Sequence, residues 1–391
     1  MSSSNKVDLL KKKLSDNPND ELITLIASTV VDEMGDQFPE LKIRSRKIQE
    51  VIEEFREKKL GEVRSERQYS RKIDYIETYF HTEVTHTVTD ELTSEDIERY
   101  RKWRKYESLH RDDPLSDTTL RDDMYLFRDF VEYLAEHKLV PVRLTKSIDI
   151  PQINYEGGKG VDKKVLEPDS AKTLLDYLHK YHYADVEHVV MELLCDTGCR
   201  KGGLFGRDLV DFDSNENVLH FRHREETPLK KADRSEREVK LKTETAEVVR
   251  DYIQNRRPDV TDEYGRKSLL TKGTGRMSRS TIQKIAYKWT RPCVVGLDCP
   301  HDRDPEECEA AQKNNAAYQC PSSRAPHHIR KGYITDHRNR GVSSDAIDQR
   351  CDVSPRVQKL HYDLPSPEDE RKRYQHEFES AKKDPRSGYS N

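Results

Sequence analysis

The sequence predicts a mainly α-helical protein with one small β-sheet, built as an all-α module followed by an α+β module. Three observations carry this. Apolar residues recur at helical spacing, as in TLRDDMYLFRDFVEYLAEH, where Leu120, Met124, Phe127, Phe130, Val131 and Leu134 share one face. Two short stretches, NVLHFRH and REVKLK, read as strands flanking a charged turn. Of 391 residues, 36% are charged and 33% hydrophobic, which suits small helical modules with long charged faces better than one large core.

Taken in order, residues 1–65 hold helix-like patches such as IQEVIEEFREKKL, ending at Gly61, and read as an N-terminal helical extension. Residues 66–150 form the all-α module. Its segment ELTSEDIERYRKWRKY opens with Thr93 or Ser94 as N-cap and acids in the first turn. PVRLTKSIDIPQINYEGGKGVDKK has two prolines, three glycines and no sustained periodicity, so a linker is placed at 151–165. The α+β module spans 166–375. Glu167-Pro168-Asp169-Ser170 starts the helix SAKTLLDYLHKYH, and ADVEHVVMELLCDTG follows with Val186, Val189, Val190, Leu193 and Leu194 on its apolar face and Gly198 past its end. After the strands come TETAEVVRDYI and SRSTIQKIAYKW, the latter with Ile282, Ile285, Ala286 and Trp289 on one face. Residues 376–391 are a polar C-terminal tail.

No apolar run approaches the roughly 18 residues needed to cross a bilayer. MSSSNKVDLLKKK has no apolar h-region, so a cytoplasmic protein without membrane partners is expected. The net charge of −4 argues weakly against nucleic acid, but phosphate contacts need only local positive surface. KIRSRK (42–47), RSERQYSRK (64–72), RYRKWRK (99–105) and RHREETPLKKADRSER (222–237) offer it, and each reads equally well as a solvated face. No carboxylate cluster presents itself for two-metal chemistry.

Four of the seven cysteines, Cys293, Cys299, Cys308 and Cys320, fall within 28 residues, which points to metal before disulfide. Their x5, x8 and x11 spacings lack the C-x-x-C knuckle of strong zinc sites, and His301 adds another donor. A structural zinc stapling an irregular insert, 293–320, and four unrelated thiols both fit.

Four elements are hard to explain separately. CDTGCRKGGL puts Arg200 just past a helix end, and TPLKK places Lys230 and Lys231 on a strand–turn–strand. APHHIRKG contains His327-x-x-Arg330, and VSPRVQKLHYD ends near Tyr362. In chain order the set resembles the tyrosine recombinases, the phage integrase family. TGCR fits the family's T-G-x-R box, and PHHIRKGYIT, closed by Thr335, fits its H-x-x-R box. The TPLK turn, the CPHDRDPEEC insert and the CDVSPRVQKLHYD ending look similar to an archaeal, especially haloarchaeal, subgroup.

The resemblance implies a helical core-binding domain at 66–150 and a tyrosine recombinase catalytic domain at 166–375. It further implies double-stranded DNA at specific sites as partner, a homo-tetramer on paired sites, action at the nucleoid and no cofactor required for catalysis. The residue types suit this chemistry. Arg200 and Arg330 would neutralise the non-bridging phosphate oxygens with fixed, bidentate donors. Tyr362, its hydroxyl pKa about 10 in water, would attack phosphorus once positive charge and a base help it. Lys230, ahead of Lys231, would protonate the leaving 5′-oxygen. His327 lies three residues before Arg330 and shares its side of a helix turn, whereas His328 points elsewhere. On chemistry alone, Tyr374 or Tyr389 would also serve as nucleophile.

Two departures stand out. Lys201, Gly202 and Gly203 follow Arg200 where the family often has an acid, and Asp352 stands nearest to the family's second His or Trp. Asp352 would orient His327 or Arg330, or accept the tyrosine proton. The alternatives are a DNA-binding protein that keeps the fold without cleaving, and a type IB topoisomerase-like activity.

Overall fold

The computed structural model describes residues 43–63, 65–108, 113–153, 162–363 and 365–382. Most of the expected N-terminal extension, part of the linker and Tyr389 lie outside the described residues. The chain divides into two units, Met1–Gly160 and Val161–Asn391.

Among the described residues the first unit has four principal helices, α1 (Ile48–Glu62), α2 (Glu66–Thr82), α3 (Ser94–Tyr106) and α4 (Asp117–Glu136). Local chemistry sets the helix starts. Thr93 Oγ1 accepts the Asp96 N–H at 3.3 Å and the Asp96 carboxylate accepts the Thr93 N–H at 2.9 Å, closing a capping box on α3. Ser116 caps α4 through the Thr119 N–H. The six apolar residues expected on one face of α4 are all at most 1% exposed. Tyr100 stacks on Phe127 with centroids 3.8 Å apart.

Helix α1 packs into the same core. Its Ile48, Val51, Ile52 and Phe55 are buried, and the Phe55 ring meets Phe130 edge-on at 5.2 Å. The boundary expected at residue 65 therefore falls inside this unit, because the apolar face of α1 shares one core with α2, α3 and α4. The basic run 99–105 is largely spoken for. Arg104 is 3% exposed, pairs with Asp123 at 2.8 Å and lies over the Tyr75 ring. Arg99 pairs with Glu83, Lys105 with Asp117 and Arg101 with Asp149. The exposed pairs are weak and exchange readily, but the buried one does not.

The second unit opens with α5 (Pro168–Tyr181), α6 (Val186–Thr197) and the short α7 (Lys201–Phe205). An antiparallel sheet follows in the order β1 (Phe212–Asp213), β2 (Val218–Phe221), β3 (Arg237–Lys240), with Leu219 opposite both Phe212 and Val239. Strand β1, only two residues long, offers no alternation to read from sequence. Then come α8 (Thr243–Asp251), α9 (Arg279–Trp289), α10 (Pro326–Asn339), α11 (Ser344–Cys351) and α12 (Pro367–Lys382). Helix α12 crosses the boundary expected at residue 375. Helix α6 is buried nearly all round, its His188, Glu192 and Asp196 included, and sits centrally against α5, α8, α9 and α10. Among the described residues, no helix is long and apolar enough to cross a membrane.

Two glycines allow the close approaches on which the unit depends. Gly198 ends α6 at φ +56°, and a Cβ there would meet the Tyr333 ring at 2.5 Å. On α10, a Cβ at Gly332 would run into the Leu166 carbonyl oxygen, because the chain entering α5 crosses the helix there, its Leu166 N–H bonded to the His328 carbonyl. Gly332→Ala should destabilise the protein by about 1–3 kcal/mol through overpacking. Gly61→Ala, where nothing lies within 4 Å, should be neutral or stabilising. Thermal unfolding of the two variants checks the contrast.

Candidate active site

Arg200 takes an extended backbone (φ −70°, ψ 145°) just before α7, which throws its side chain clear of the end of α6. Its Nη1 donates to Asp352 Oδ2 at 2.6 Å. Lys231, in the long turn between β2 and β3, reaches the other oxygen, with Nζ 2.9 Å from Oδ1. Ser235 Oγ donates to Oδ2 at 2.9 Å and accepts the Lys231 N–H, so the turn is fastened to the same carboxylate. Lys230, the expected general acid, is exposed and takes part in none of these contacts.

Asp352 is the C-cap of α11 in the left-handed conformation (φ +55°) and its side chain is 8% exposed. Burial alone would push its pKa up. The hydrogen bonds from Lys231 and Ser235 and the Arg200 charge prevail and hold it below the usual carboxylate range. This differs from the sequence expectation: the side chain meets Arg200 and Lys231, while only its main chain approaches Arg330.

Pro326 begins α10, where its fixed φ and missing N–H cost nothing. Arg330 on that helix is 1% exposed. Its Nη1 donates to the Gly198 carbonyl at 2.8 Å and the Cys351 carbonyl at 2.6 Å. Nε is buried without a partner, and Nη2 has only a 3.5 Å contact to the Asp352 carbonyl. The Nε–Nη2 edge, the one that binds anions side-on, is thus nearly unengaged.

Tyr362 closes a π-turn, Gln358–Tyr362, and is 6% exposed. The Arg330 guanidinium lies 5.0 Å from its ring centroid, and the His327 ring lies 5.0 Å away. Thr335 Oγ1 donates to the Tyr362 carbonyl at 2.9 Å. The next residue, Asp363, accepts both terminal nitrogens of Arg373 on α12, at 2.9 and 2.7 Å. Tyr374, also on α12, is 56% exposed and belongs to none of these contacts.

His327 has an exposed edge, yet its imidazole is held down to about 4, by desolvation first and then by Lys331, Arg330, His328 and Arg200. It is therefore neutral at pH 7. His328 turns away, its Nε2 2.7 Å from Asp162 Oδ2.

Arg200, His327, Arg330, Asp352 and Tyr362 come together, with Lys231 in the place expected of Lys230. Sequence reasoning missed Ser235, Arg373 and Arg350. Arg350 secures α11 through Tyr333 Oη at 2.7 Å and the Lys240 and Asp196 carbonyls at 2.8 and 2.9 Å. None carries a spacing signal: Ser235 and Arg350 act across more than a hundred residues, and Arg373 meets Asp363 ten residues away, outside helical spacing. Among the described residues, no group of three or more His, Cys, Asp or Glu stands ready to hold a metal ion.

No protein-family model matches the chain, and no curated protein does. Solved structures do. The Tn1549 transposon integrase in complex with a circular intermediate DNA is 14% identical, with a TM-score of 0.57 over 84% of this chain and 99% of that one. A lambda integrase dimer bound to a COC′ core site is 10% identical, with a TM-score of 0.53 over 95% of this chain and 85% of that one. At such identities the likeness shows the fold: mainly helical with a small three-stranded sheet, matching the catalytic fold of tyrosine recombinases.

The depressed His327 pKa has a testable sign. The unfolded chain takes up a proton near 6.5 and the folded one near 4, so stability falls as pH drops through that window. His328, His337 and His361 shift the same way. His327→Gln should flatten the fall between pH 6.5 and 4 without abolishing it, as read from urea midpoints measured across that range.

Proposed function

We propose that the chain is a member of the tyrosine recombinase family, a site-specific DNA recombinase that cleaves and rejoins strands through a 3′-phosphotyrosyl bond on Tyr362. One observation carries the reading. Tyr362 lies against both His327 and Arg330, and Arg330 is bonded to the carbonyls of Gly198, two residues before Arg200, and Cys351, next to Asp352. The archaeal affinity rests on the sequence resemblance. DNA in the Tn1549 and lambda integrase structures supports DNA as the partner; action at the nucleoid rests on the sequence resemblance. The first unit is read as the core-binding domain, and assembly as a tetramer on paired sites.

In this mechanism a scissile phosphate draws Arg200 and Lys231 from Asp352, and the Nε–Nη2 edge of Arg330 takes a non-bridging oxygen. Neutral His327 accepts the Tyr362 proton as general base. The tyrosine oxygen bonds to phosphorus as the P–O5′ bond breaks, and Lys231 gives its proton to the departing 5′-oxygen. The phosphotyrosine keeps the bond energy, so a 5′-hydroxyl from another strand reverses the step without a cofactor.

A second reading, binding without cleavage, is favoured by Asp352, which engages two of the cations and as an anion donates no hydrogen bond to phosphate. A nicked suicide duplex carrying the chain's attachment site separates the two. The wild type should yield a covalent protein–DNA adduct on a denaturing gel, and Tyr362→Phe none. Tight binding without any adduct would leave the second reading.

Two variants probe the cations. Lys231→Ala should slow cleavage by about 10²–10⁴-fold and recover on a 5′-bridging phosphorothiolate, whose leaving group needs no proton. Lys230→Ala should change cleavage little. Asp352→Asn should tighten DNA binding a few-fold, and more at low salt, by removing the competing anion.

A further inference from the structure

The insert at 293–320 has no part in the proposed reaction, yet its cysteines line a common cavity. Cys293 lies in the turn Pro292–Val295 that follows α9, and Cys308 precedes the turn Glu309–Gln312. Cys320 ends the turn Ala317–Gln319 ahead of α10. These three, with Cys299 and His301, line one cavity of about 20 Å³. That is room for a single water-sized guest. All four cysteines are free and partly buried.

The insert has little else to hold it. Its buried apolar residues are Ala310, Ala316 and Ala317, while Leu297 and Tyr318 are exposed. The buried Arg291 guanidinium binds the Ala310 and Ala311 carbonyls, and His301 Nε2 lies 2.8 Å from Ser322 Oγ. A segment this poor in core needs a cross-link to keep one conformation.

We propose that Cys293, Cys299, Cys308 and Cys320 bind one structural Zn²⁺ tetrahedrally, each thiol losing its proton to solvent, and that the ion fixes the start of α10. In the present rotamers the donors are not gathered closely enough to hold an ion. Zinc binding requires cysteine side chains to turn between staggered χ1 wells, each turn swinging a sulfur by about 3 Å. Arg291 and Arg303 on the cavity wall offset the negative charge of a four-thiolate site. His301, engaged with Ser322, is a neighbour of the site and not a ligand. The chain then passes from Cys320 to Arg324, whose N–H donates to Thr290 Oγ1 at 2.7 Å, and into the helix bearing His327 and Arg330.

The test needs no DNA and is independent of the recombinase reading. Full-length chain purified without a histidine tag or strong chelator should contain one zinc per chain by elemental analysis. Exchange to Co²⁺ should produce the intense thiolate charge-transfer and tetrahedral d–d bands. Cys299→Ser and Cys308→Ser should lose the metal, while Cys195→Ser, outside the insert, and His301→Asn keep it. Metal removal should lower Tm. Absence of zinc together with no thiolate–cobalt bands in the wild type would overturn the proposal, even if the serine variants fail to fold. So would disulfides among these four cysteines, or loss of metal in His301→Asn.

Discussion

The second unit depends on one buried cation. Arg330 lies almost wholly out of solvent, and the carbonyls of Gly198 and Cys351 take up its Nη1 donors. Taking a guanidinium out of water costs several kcal/mol unless its donors are met. Meeting them forces the end of α6, the body of α10 and the end of α11 to converge. Arg200 follows the first of these, His327 lies on the second and Asp352 follows the third. The interaction that stabilises the core is thus the one that assembles the site.

Around that hub a polar layer fixes the neighbours. Arg350 ties α11 to α6, β3 and Tyr333, so the segment leading to Asp352 has little freedom. Asp352 in turn brings Arg200 and Lys231 to one carboxylate, an approach that their like charges would otherwise resist. Arg200, Lys231 and Ser235 thus share one carboxylate, which fixes the β2–β3 turn against the end of α11. Tyr362 is secured on both sides, by Thr335 through its carbonyl and by Arg373 through Asp363. The last link ties the position of α12 to that of the tyrosine.

What the sequence determined by itself was local. Helical periodicity located α4, α6 and α9, and the residues it assigned to their apolar faces are buried or packed against the core. Pro326 and Gly198 marked a helix start and a helix end through backbone restrictions acting within a few residues. Motif order singled out Arg200, His327, Arg330 and Tyr362, whose side chains or flanking carbonyls meet in the structure. Tertiary structure alone decided the rest. Lys230 and Lys231 are adjacent in sequence, and only the path of the β2–β3 turn chooses which meets Asp352, a partner 121 residues from Lys231. The Arg200–Asp352 pair spans 152 residues, and α1 joins a core whose other members lie beyond the boundary the sequence suggested. Periodicity and capping arise from neighbours along the chain, so one sequence displays them. Ion pairs closed over such distances exist only once burial has brought the segments together.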